Sequence, residues 1–240
     1  MPSLLKRQRA LLLQQPLFRA LAILLALLTG GCTNAGYQNA NGAVSFITWD
    51  EAHGRREHPV AGADPASFQV LDKHGYAKDR SSAYFRWSRM ERADPASLVA
   101  LSSLYAKDRQ SVFYEGSMVP GADPSTFVIL DAPWSRDGAD IYLQNRPIKA
   151  CDPATFVILE KDWQEDQRCV YNRGRKLPGA DAATFQVLNF WYAKDARTVY
   201  YNDTQRLAGA DAQTFVIAKP CEICGRDDRR CYRQGEAVPC

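Results

Sequence analysis

The chain has 240 residues, is 46% hydrophobic and carries 30 basic and 27 acidic residues, for a formal net charge of +3. Four of the basic residues and none of the acidic ones lie in the first 31 positions, so the rest of the chain has 26 basic and 27 acidic residues. The overall charge therefore argues against nucleic acid as a partner and against a strongly basic membrane-binding protein.

The segment 1–31 is predicted to be a lipoprotein signal peptide. Basic residues precede a short apolar run, Ala20 to Leu28, and two glycines stand directly before Cys32. These features are typical of secretory signals, and the apolar run is too short for a spanning helix. Small residues directly before a cysteine resemble the lipobox of bacterial lipoproteins, which implies lipidation of Cys32. Thr29 departs from that pattern, which usually has leucine there.

This resemblance implies a protein that is lipid-anchored in the bacterial cell envelope. The residue after Cys32 is Thr33 and not aspartate. In a Gram-negative host this favours sorting of the lipoprotein to the outer membrane, facing the periplasm. The alternatives are an ordinary signal peptide or an uncleaved anchor.

The other six cysteines are an even set in an exported chain, which indicates disulfides. Cys151 and Cys169 stand apart from the rest and are predicted to pair with each other. The remaining quartet has the spacing C-x2-C-x6-C-x8-C, which also suits a zinc ion bound by four thiolates. Disulfides are the favoured interpretation, with three connectivities open in the quartet, and no cofactor is expected. The quartet consists of Cys221, Cys224, Cys231 and Cys240.

The remainder of the chain divides into three parts. Residues 32–43 are small and polar, and are predicted to be a flexible tether from the anchor. Residues 44–63 contain one short apolar run and a polar loop, and are predicted to be a degenerate capping unit. Residues 64–240 contain one phrase six times and end in the cysteine-rich segment.

Four series of residues recur with a period near 29. An aspartate, usually in Gly-Ala-Asp, begins each copy, and a large apolar residue follows four positions later. A second aspartate lies about midway, and an aromatic residue follows it five positions later. A fixed period of this length indicates a tandem-repeat architecture. The series are Asp64, Asp94, Asp123, Asp152, Asp181 and Asp211; Phe68, Leu98, Phe127, Phe156, Phe185 and Phe215; Asp79, Asp108, Asp137, Asp166, Asp195 and Asp227; and Tyr84, Phe113, Tyr142, Tyr171, Tyr200 and Tyr232.

Each copy predicts a short β-meander plus one helical turn. In Asp-Pro-Ala-Thr-Phe, aspartate suits a helix N-cap and proline the first helical position. The following Phe-Val-Ile is β-branched and aromatic and predicts a strand. Tyr-Ala-Lys-Asp predicts a polar turn. Val199–Tyr201 predicts the returning strand, and the residues before the next Gly-Ala-Asp predict a short third strand.

The predicted fold is mainly β, with the units stacked as a solenoid-like array. One meander cannot bury its apolar face alone, so neighbouring units must share a core. The alternative is β-propeller-like closure, which is disfavoured because four-stranded blades generally need about 40 residues.

The repeated motifs resemble the DKNYY family of bacterial proteins. The copy that carries the resemblance best is Asp195–Tyr201 (DARTVYY), followed by Gly-Ala-Asp at 209–211 and by Thr214-Phe215. The resemblance covers about residues 60–240 and weakens at Asp137–Leu143, where the second tyrosine is lost. It implies the repeat fold and an exported or anchored location, and it carries over no catalytic residue.

The recurrent aspartates and aromatics have both structural and functional interpretations. Calcium would need six to eight oxygens from clustered positions. Each aspartate stands largely alone, often beside lysine or arginine, which favours turn formation and capping. One aromatic series is a candidate for a glycan- or peptide-binding face, because aromatic rings give large rigid contact areas, although core packing is favoured. Its members are Tyr76, Tyr105, Trp134, Trp163 and Tyr192.

The predicted function is that of a non-catalytic envelope lipoprotein, a repeat scaffold that binds an unknown protein or glycan. No common catalytic or nucleotide-binding motif occurs. One alternative is a cell-envelope hydrolase with a site near residues 49–58, which contain His53, His58 and three carboxylates. Another alternative is a toxin-immunity or inhibitor protein.

Overall fold

The computed structural model describes residues 35–72, 74–160, 162–202 and 205–240. The predicted signal peptide, Cys32 and Thr33 lie outside these residues. The described part consists of short antiparallel strands in one three-stranded and six four-stranded sheets, none of them closed. None of its helices is both long enough and apolar enough to cross a membrane.

The first sheet contains β1 (Gly36–Ala40), β2 (Ala43–Asp50) and β3 (Gly54–Pro59), in the order β1-β2-β3. The predicted tether 32–43 is therefore wrong from Gly36 onward. Asn41 and Gly42 have φ values of 53° and 73°, and an Asn-Gly pair with both φ angles positive forms the two-residue turn that best suits a β-hairpin.

This sheet includes most of the predicted capping unit 44–63 and packs on the first repeat. Val44, Phe46 and Val60 form a buried cluster with Tyr84, against which Phe68 also packs. The first repeat is thus covered on its N-terminal side by an apolar sheet face.

Each later sheet corresponds to one repeat, and the repeats are numbered here as units 1 to 6. They cover residues 64–93, 94–122, 123–151, 152–180, 181–210 and 211–240. Unit 1 contains β4 (Gln69–Val70), β5 (Tyr76–Lys78), β6 (Ala83–Phe85) and β7 (Ser88–Arg89). Unit 2 contains β8 (Val99–Ala100), β9 (Tyr105–Lys107), β10 (Val112–Tyr114) and β11 (Ser117–Met118). Unit 3 contains β12 (Val128–Ile129), β13 (Trp134–Arg136), β14 (Ile141–Leu143) and β15 (Arg146–Pro147). Unit 4 contains β16 (Val157–Ile158), β17 (Trp163–Glu165), β18 (Val170–Asn172) and β19 (Arg175–Lys176). Unit 5 contains β20 (Gln186–Val187), β21 (Tyr192–Lys194), β22 (Val199–Tyr201) and β23 (Gln205–Arg206). Unit 6 contains β24 (Val216–Ile217), β25 (Cys224–Arg226), β26 (Cys231–Arg233) and β27 (Glu236–Val238).

Each unit is a meander of four strands instead of the predicted three. The segment Tyr192–Lys194, predicted to be a turn, is the second strand and pairs antiparallel with Val199–Tyr201. The polar turn begins only at Asp195. Because most strands are two or three residues long, four strands fit into about 29 residues. Unit length is therefore no argument against a four-stranded blade.

The predicted helical turn is present in two copies. Pro153–Thr155 and Ala182–Thr184 are 3₁₀ turns. In the other copies the segment is a non-helical turn; in unit 1, for example, the N–H of Ser67 donates to the carbonyl of Asp64 (3.2 Å).

The core is divided into clusters that each join two consecutive sheets. Tyr105 and Val112 of unit 2 pack with Phe127 and Tyr142 of unit 3. In the same way, Trp134 and Ile141 of unit 3 pack with Phe156 and Tyr171 of unit 4. The large apolar residue directly before each first strand therefore packs between its own sheet and the preceding one.

Candidate binding surface

The second aspartate of each unit organises a polar network. In unit 5 the Asp195 side chain is buried and its carboxylate accepts four hydrogen bonds. Oδ1 accepts from the N–H groups of Arg197 and Thr198, both at 2.8 Å. Oδ2 accepts from the N–H of Asp181 (3.1 Å) and from the Tyr200 hydroxyl (2.8 Å). One carboxylate thus closes a turn and ties the start of the unit to its third strand.

The same network recurs in all six units. In each unit the second aspartate is buried, and its carboxylate accepts a hydrogen bond from the backbone N–H of the first aspartate of that unit. Five of the six also accept from the tyrosine five residues later. Unit 2 has Phe113 at that position and lacks this bond. The recurrent aspartates and tyrosines are thus used in hydrogen bonds that hold each unit together.

The first aspartate forms a smaller network with the hydroxyl residue three positions later. In unit 1, Ser67 Oγ donates to Asp64 Oδ2 (2.5 Å) and accepts from the N–H of Arg80 (3.1 Å). A serine or threonine accepts in the same way in the other units. Among the described residues, no three His, Cys, Asp or Glu side chains are grouped as metal ligands would be.

The hydrogen bonds also decide the charge state of these groups. Burial by itself raises the pKa of Asp79, but bonds from the Asp64 N–H, the Tyr84 hydroxyl and the turn N–H groups outweigh it and lower the pKa to about 2. The pKa of Asp195 is lowered through the same balance. Burial, together with the bond to Asp195, raises the pKa of Tyr200 to about 12, so its hydroxyl stays a donor.

These pKa directions predict acid-induced loss of stability. The native carboxylates have pKa values below the unfolded value of about 3.9, so the unfolded chain binds more protons in acid. The stabilisation is complete above about pH 4 to 5 and is lost as pH falls towards about 2. We expect the urea midpoint, followed by circular dichroism, to fall in that window. A midpoint that first falls between about pH 7 and 5 would instead indicate histidine titration.

The five candidate binding aromatics belong to the core. Tyr76, Tyr105, Trp163 and Tyr192 have no exposed surface and Trp134 is 7% exposed. The favoured interpretation of this series as core therefore holds, and the alternative of a binding face does not, because the side chains lie in the junctions between consecutive sheets.

The hydroxyl groups in this series bind the next unit. Tyr105 donates to the carbonyl of Pro133 (2.6 Å) and Tyr192 donates to that of Ile223 (3.0 Å). Tyr76 donates to the carbonyl of Leu104 (2.8 Å). Each of these three tyrosines thus adds a polar contact to an apolar junction between units.

Units 3 and 4, which have tryptophan in place of tyrosine in this series, depart from this pattern. In unit 4 the indole Nε1 of Trp163, Nε2 of Gln164 and Oδ1 of Asn172 are buried and have no partner among the described residues. Gln164 Oε1 accepts from the N–H of Gly174 (3.1 Å), whereas the equivalent Gly116 donates to the hydroxyl of Tyr76. Trp134 of unit 3 stands where unit 1 has Tyr76, and an indole has no acceptor atom for this N–H. Gln164 of unit 4 supplies the acceptor instead.

The proposed hydrolase segment 49–58 is an exposed hairpin. Asp50 accepts from the backbone N–H of His53 (2.7 Å), and its Oδ1 lies 2.9 Å from Nδ1 of that ring. The hydrogen bond from the His53 side chain is the main cause that lowers the pKa of Asp50. His58 stacks on Trp87 with ring centroids 4.2 Å apart. These side chains thus have partners within the hairpin and on unit 1.

Two concave regions lie near the N-terminal sheet and units 1 and 2. A recess of about 600 Å³ lies beside Trp49, which is 58% exposed. Its polar lining includes Thr48, His74 and Arg86. A groove of about 550 Å³ runs between the fourth strands of units 1 and 2 and contains Met118 in its wall. Both are open and shallow enough to suit a large partner.

All six cysteines of the described residues are paired in the structure. The disulfide between Cys151 and Cys169 joins the last residue of unit 3 to the residue just before the third strand of unit 4, with their Cα atoms 6.0 Å apart. Cys221 pairs with Cys224, and Cys231 pairs with Cys240. In this arrangement the quartet does not form a four-thiolate zinc site.

Side chains that differ between units lie at the turn between the third and fourth strands, and also in the loop between the first and second strands. The sequence points to Asn202–Gln205 as such a variable tip, of which Asp203 and Thr204 lie outside the described residues. The fourth strands beside these tips are largely exposed, as in Arg175–Lys176 and Gln205–Arg206. The fourth-strand edge is thus one exposed region in which the units differ.

Comparison with known proteins supports the repeat assignment. The family model of the DKNYY family matches residues 105–236, more than half of the chain. The chain belongs to the DKNYY family. The match begins within unit 2 and ends within unit 6, and it includes five of the six buried aspartates, Asp108 to Asp227. Comparison with curated proteins and with solved structures gives no match.

Proposed function

We propose that this DKNYY-family chain is a non-catalytic, lipid-anchored protein of the bacterial cell envelope that binds a protein or a glycan. The signal-like segment 1–31 and Cys32 support the anchor. Thr33 favours the outer membrane, facing the periplasm, in a Gram-negative host. In this proposal the six units stack as a solenoid-like scaffold, which the clusters shared by consecutive sheets support.

One observation supports a binding function most directly. The residues that recur in every unit are used for turns and core, whereas the exposed residues of the fourth-strand edge differ from unit to unit. A repeat scaffold leaves recognition to such variable surface positions, because the recurrent ones are needed for stacking. The variable edge is therefore the proposed binding surface.

The proposal is tested by crosslinking in intact envelopes. A photo-crosslinking residue at Asn145, on the exposed edge, is expected to give a discrete adduct, whereas one at Arg109, on the exposed turn after the second strand, is expected to give none. The wild type should also incorporate labelled fatty acid and Cys32→Ala should not. Absence of any adduct at the edge, or equal labelling of both proteins, would contradict the corresponding part of the proposal.

A further inference from the structure

The Cys221–Cys224 disulfide of unit 6 is not needed to shape the loop that contains it. The N–H of Cys224 donates to the carbonyl of Cys221 (3.2 Å). In unit 3 the N–H of Trp134 donates to the carbonyl of Asp131 (2.8 Å) at the same place in the repeat, where the chain has no cysteine. The backbone hydrogen bond is therefore sufficient to close this turn.

Unit 5 also holds the two residues that lie between these cysteines. Asn189 Nδ2 donates to the carbonyl of Glu222 (2.8 Å), and the Tyr192 hydroxyl donates to that of Ile223 (3.0 Å). The corresponding tyrosines of units 1 and 2 hold the next unit in the same way. The disulfide spans a sequence separation of only 3, and a cross-link over so short a loop constrains the unfolded chain little. We expect the loop to keep its shape when the disulfide is reduced.

The strand cysteines of unit 6 lie on the sheet face that points away from unit 5. Cys224 is the first residue of β25 and Cys231 is the first residue of β26. Successive side chains of a strand point to opposite faces. Tyr232, the next residue of β26, belongs to the buried cluster shared with unit 5. Cys224 and Cys231 therefore lie on the other face, and both are partly exposed.

Each of these two cysteines has an arginine directly opposite on the neighbouring strand. Cys224 pairs with Arg233, and Cys231 pairs with Arg226. Directly opposite residues of an antiparallel pair share one face, with Cβ atoms about 4.5–5.5 Å apart. Both arginines are exposed on that face. Positive charge beside a sulfur stabilises the thiolate, which is the nucleophile and the leaving group in disulfide exchange.

The charge of these arginines is not cancelled by an ion pair. Glu236 stands opposite Arg233 on β27, but its carboxylate accepts from Gln205 of unit 5 (3.2 Å). The exposed Glu222 lies between the two cysteines of the loop. Within the part of the chain that the structure describes, neither Arg226 nor Arg233 is ion-paired. A cation beside a partly exposed sulfur is the setting of reactive cysteines.

The Cys151–Cys169 disulfide has different surroundings. Lys176 donates to the sulfur of Cys151 (3.0 Å), but Cys169 is 7% exposed and lies in the apolar cluster that joins units 3 and 4. Apolar burial disfavours a thiolate at Cys169 and limits access to its sulfur. This disulfide therefore serves as an internal reference for a structural cross-link.

We infer that Cys221–Cys224 is a redox-active disulfide that accepts two electrons from a dithiol of an exported partner protein. A thiolate of the partner attacks the sulfur of Cys221, the S–S bond breaks, and Cys224 leaves as a thiolate beside Arg233. The partner's second thiolate then attacks the partner's sulfur in the mixed disulfide, and Cys221 leaves. The partner gains a disulfide, and the two cysteines take up the two protons that its thiols release. This exchange is stoichiometric, so it goes beyond the proposed binding function and needs no catalytic turnover.

The first test measures how fast each disulfide is reduced in the full-length protein, with dithiothreitol as the dithiol probe. Alkylation of the released thiols, followed by peptide mass spectrometry, separates the three disulfides. We expect Cys221–Cys224 to be reduced about tenfold faster than Cys151–Cys169, or more, because its sulfurs are accessible and its leaving thiolate is stabilised. Equal rates would overturn the inference.

The role of the cation is tested with two arginine variants. Arg233→Gln should slow reduction of Cys221–Cys224 about threefold or more, because the leaving thiolate loses its cation. The matched control Arg229→Gln removes an exposed arginine from the turn of the same unit and should keep the rate to within about 1.5-fold. After reduction, Arg233→Gln should also shift the pH profile of Cys224 alkylation to higher pH. Equal rates in the two variants, or an unshifted profile, would contradict the inference.

A purely structural role of the disulfide is tested separately. Cys221→Ser/Cys224→Ser should keep the urea midpoint of the wild type, followed by circular dichroism, since backbone hydrogen bonds and the Tyr192 hydroxyl hold the loop. A clear fall of the midpoint would identify the disulfide as a structural cross-link and would overturn the inference.

Discussion

Replacement of Asp195 by alanine is expected to lower the free energy of unfolding by about 3–5 kcal/mol. The change leaves the Tyr200 hydroxyl and the N–H groups of Asp181, Arg197 and Thr198 without their acceptor. A buried donor that loses its partner costs about 1–3 kcal/mol, and partial access of water keeps the total below the sum for four donors. Urea denaturation followed by circular dichroism measures the effect.

Two variants separate the network from general effects of mutation. Tyr200→Phe removes one donor and keeps the carboxylate, so a loss of about 1 kcal/mol is expected. Unit 2 already tolerates Phe113 at this position. Asp228→Ala removes an exposed carboxylate from the turn of unit 6 and should change stability by less than about 0.5 kcal/mol. If Asp195→Ala were as mild as Asp228→Ala, the network would not be a main source of stability.

The second large effect is expected for Tyr105→Ala, at about 3–5 kcal/mol. Tyr105 is fully buried between units 2 and 3, where it packs with Phe127 at a centroid distance of 5.5 Å. Its hydroxyl also donates to the carbonyl of Pro133. The substitution removes the ring and leaves a cavity at one junction between units. Tyr105→Phe, which keeps the ring, should cost only about 1 kcal/mol.

The same substitution tests whether stability is transmitted between neighbouring units. In a repeat array, stability is approximately the sum of unit and junction contributions, so a weakened junction allows the two sides to unfold separately. Trp49 and Trp87 lie before this junction, and Trp134, Trp163 and Trp191 lie in or after unit 3. Single-tryptophan versions of Tyr105→Ala should therefore show two different urea midpoints. Coincident midpoints on both sides would argue for a single cooperative unit.

The repeat can be recognised from the sequence because each recurrent residue makes a specific local contact that other residue types cannot make. Asp195 accepts from its own turn and Tyr200 reaches the same carboxylate five residues later, so both positions must recur in each copy. The second strand was mistaken for a turn because Tyr192–Lys194 is only three residues long and precedes a strong turn signal. The Asn41-Gly42 pair, by contrast, was a readable hairpin signal within a segment predicted to be a tether.

The sequence by itself determined the period, the all-β character and the DKNYY assignment, since these depend on local spacing and on the residue types that turns and short strands require. Only the tertiary structure decided which aromatics are exposed, because burial depends on how consecutive sheets pack. Tyr76 and Trp87 are both aromatic residues of unit 1, yet Tyr76 is buried and Trp87 is 38% exposed.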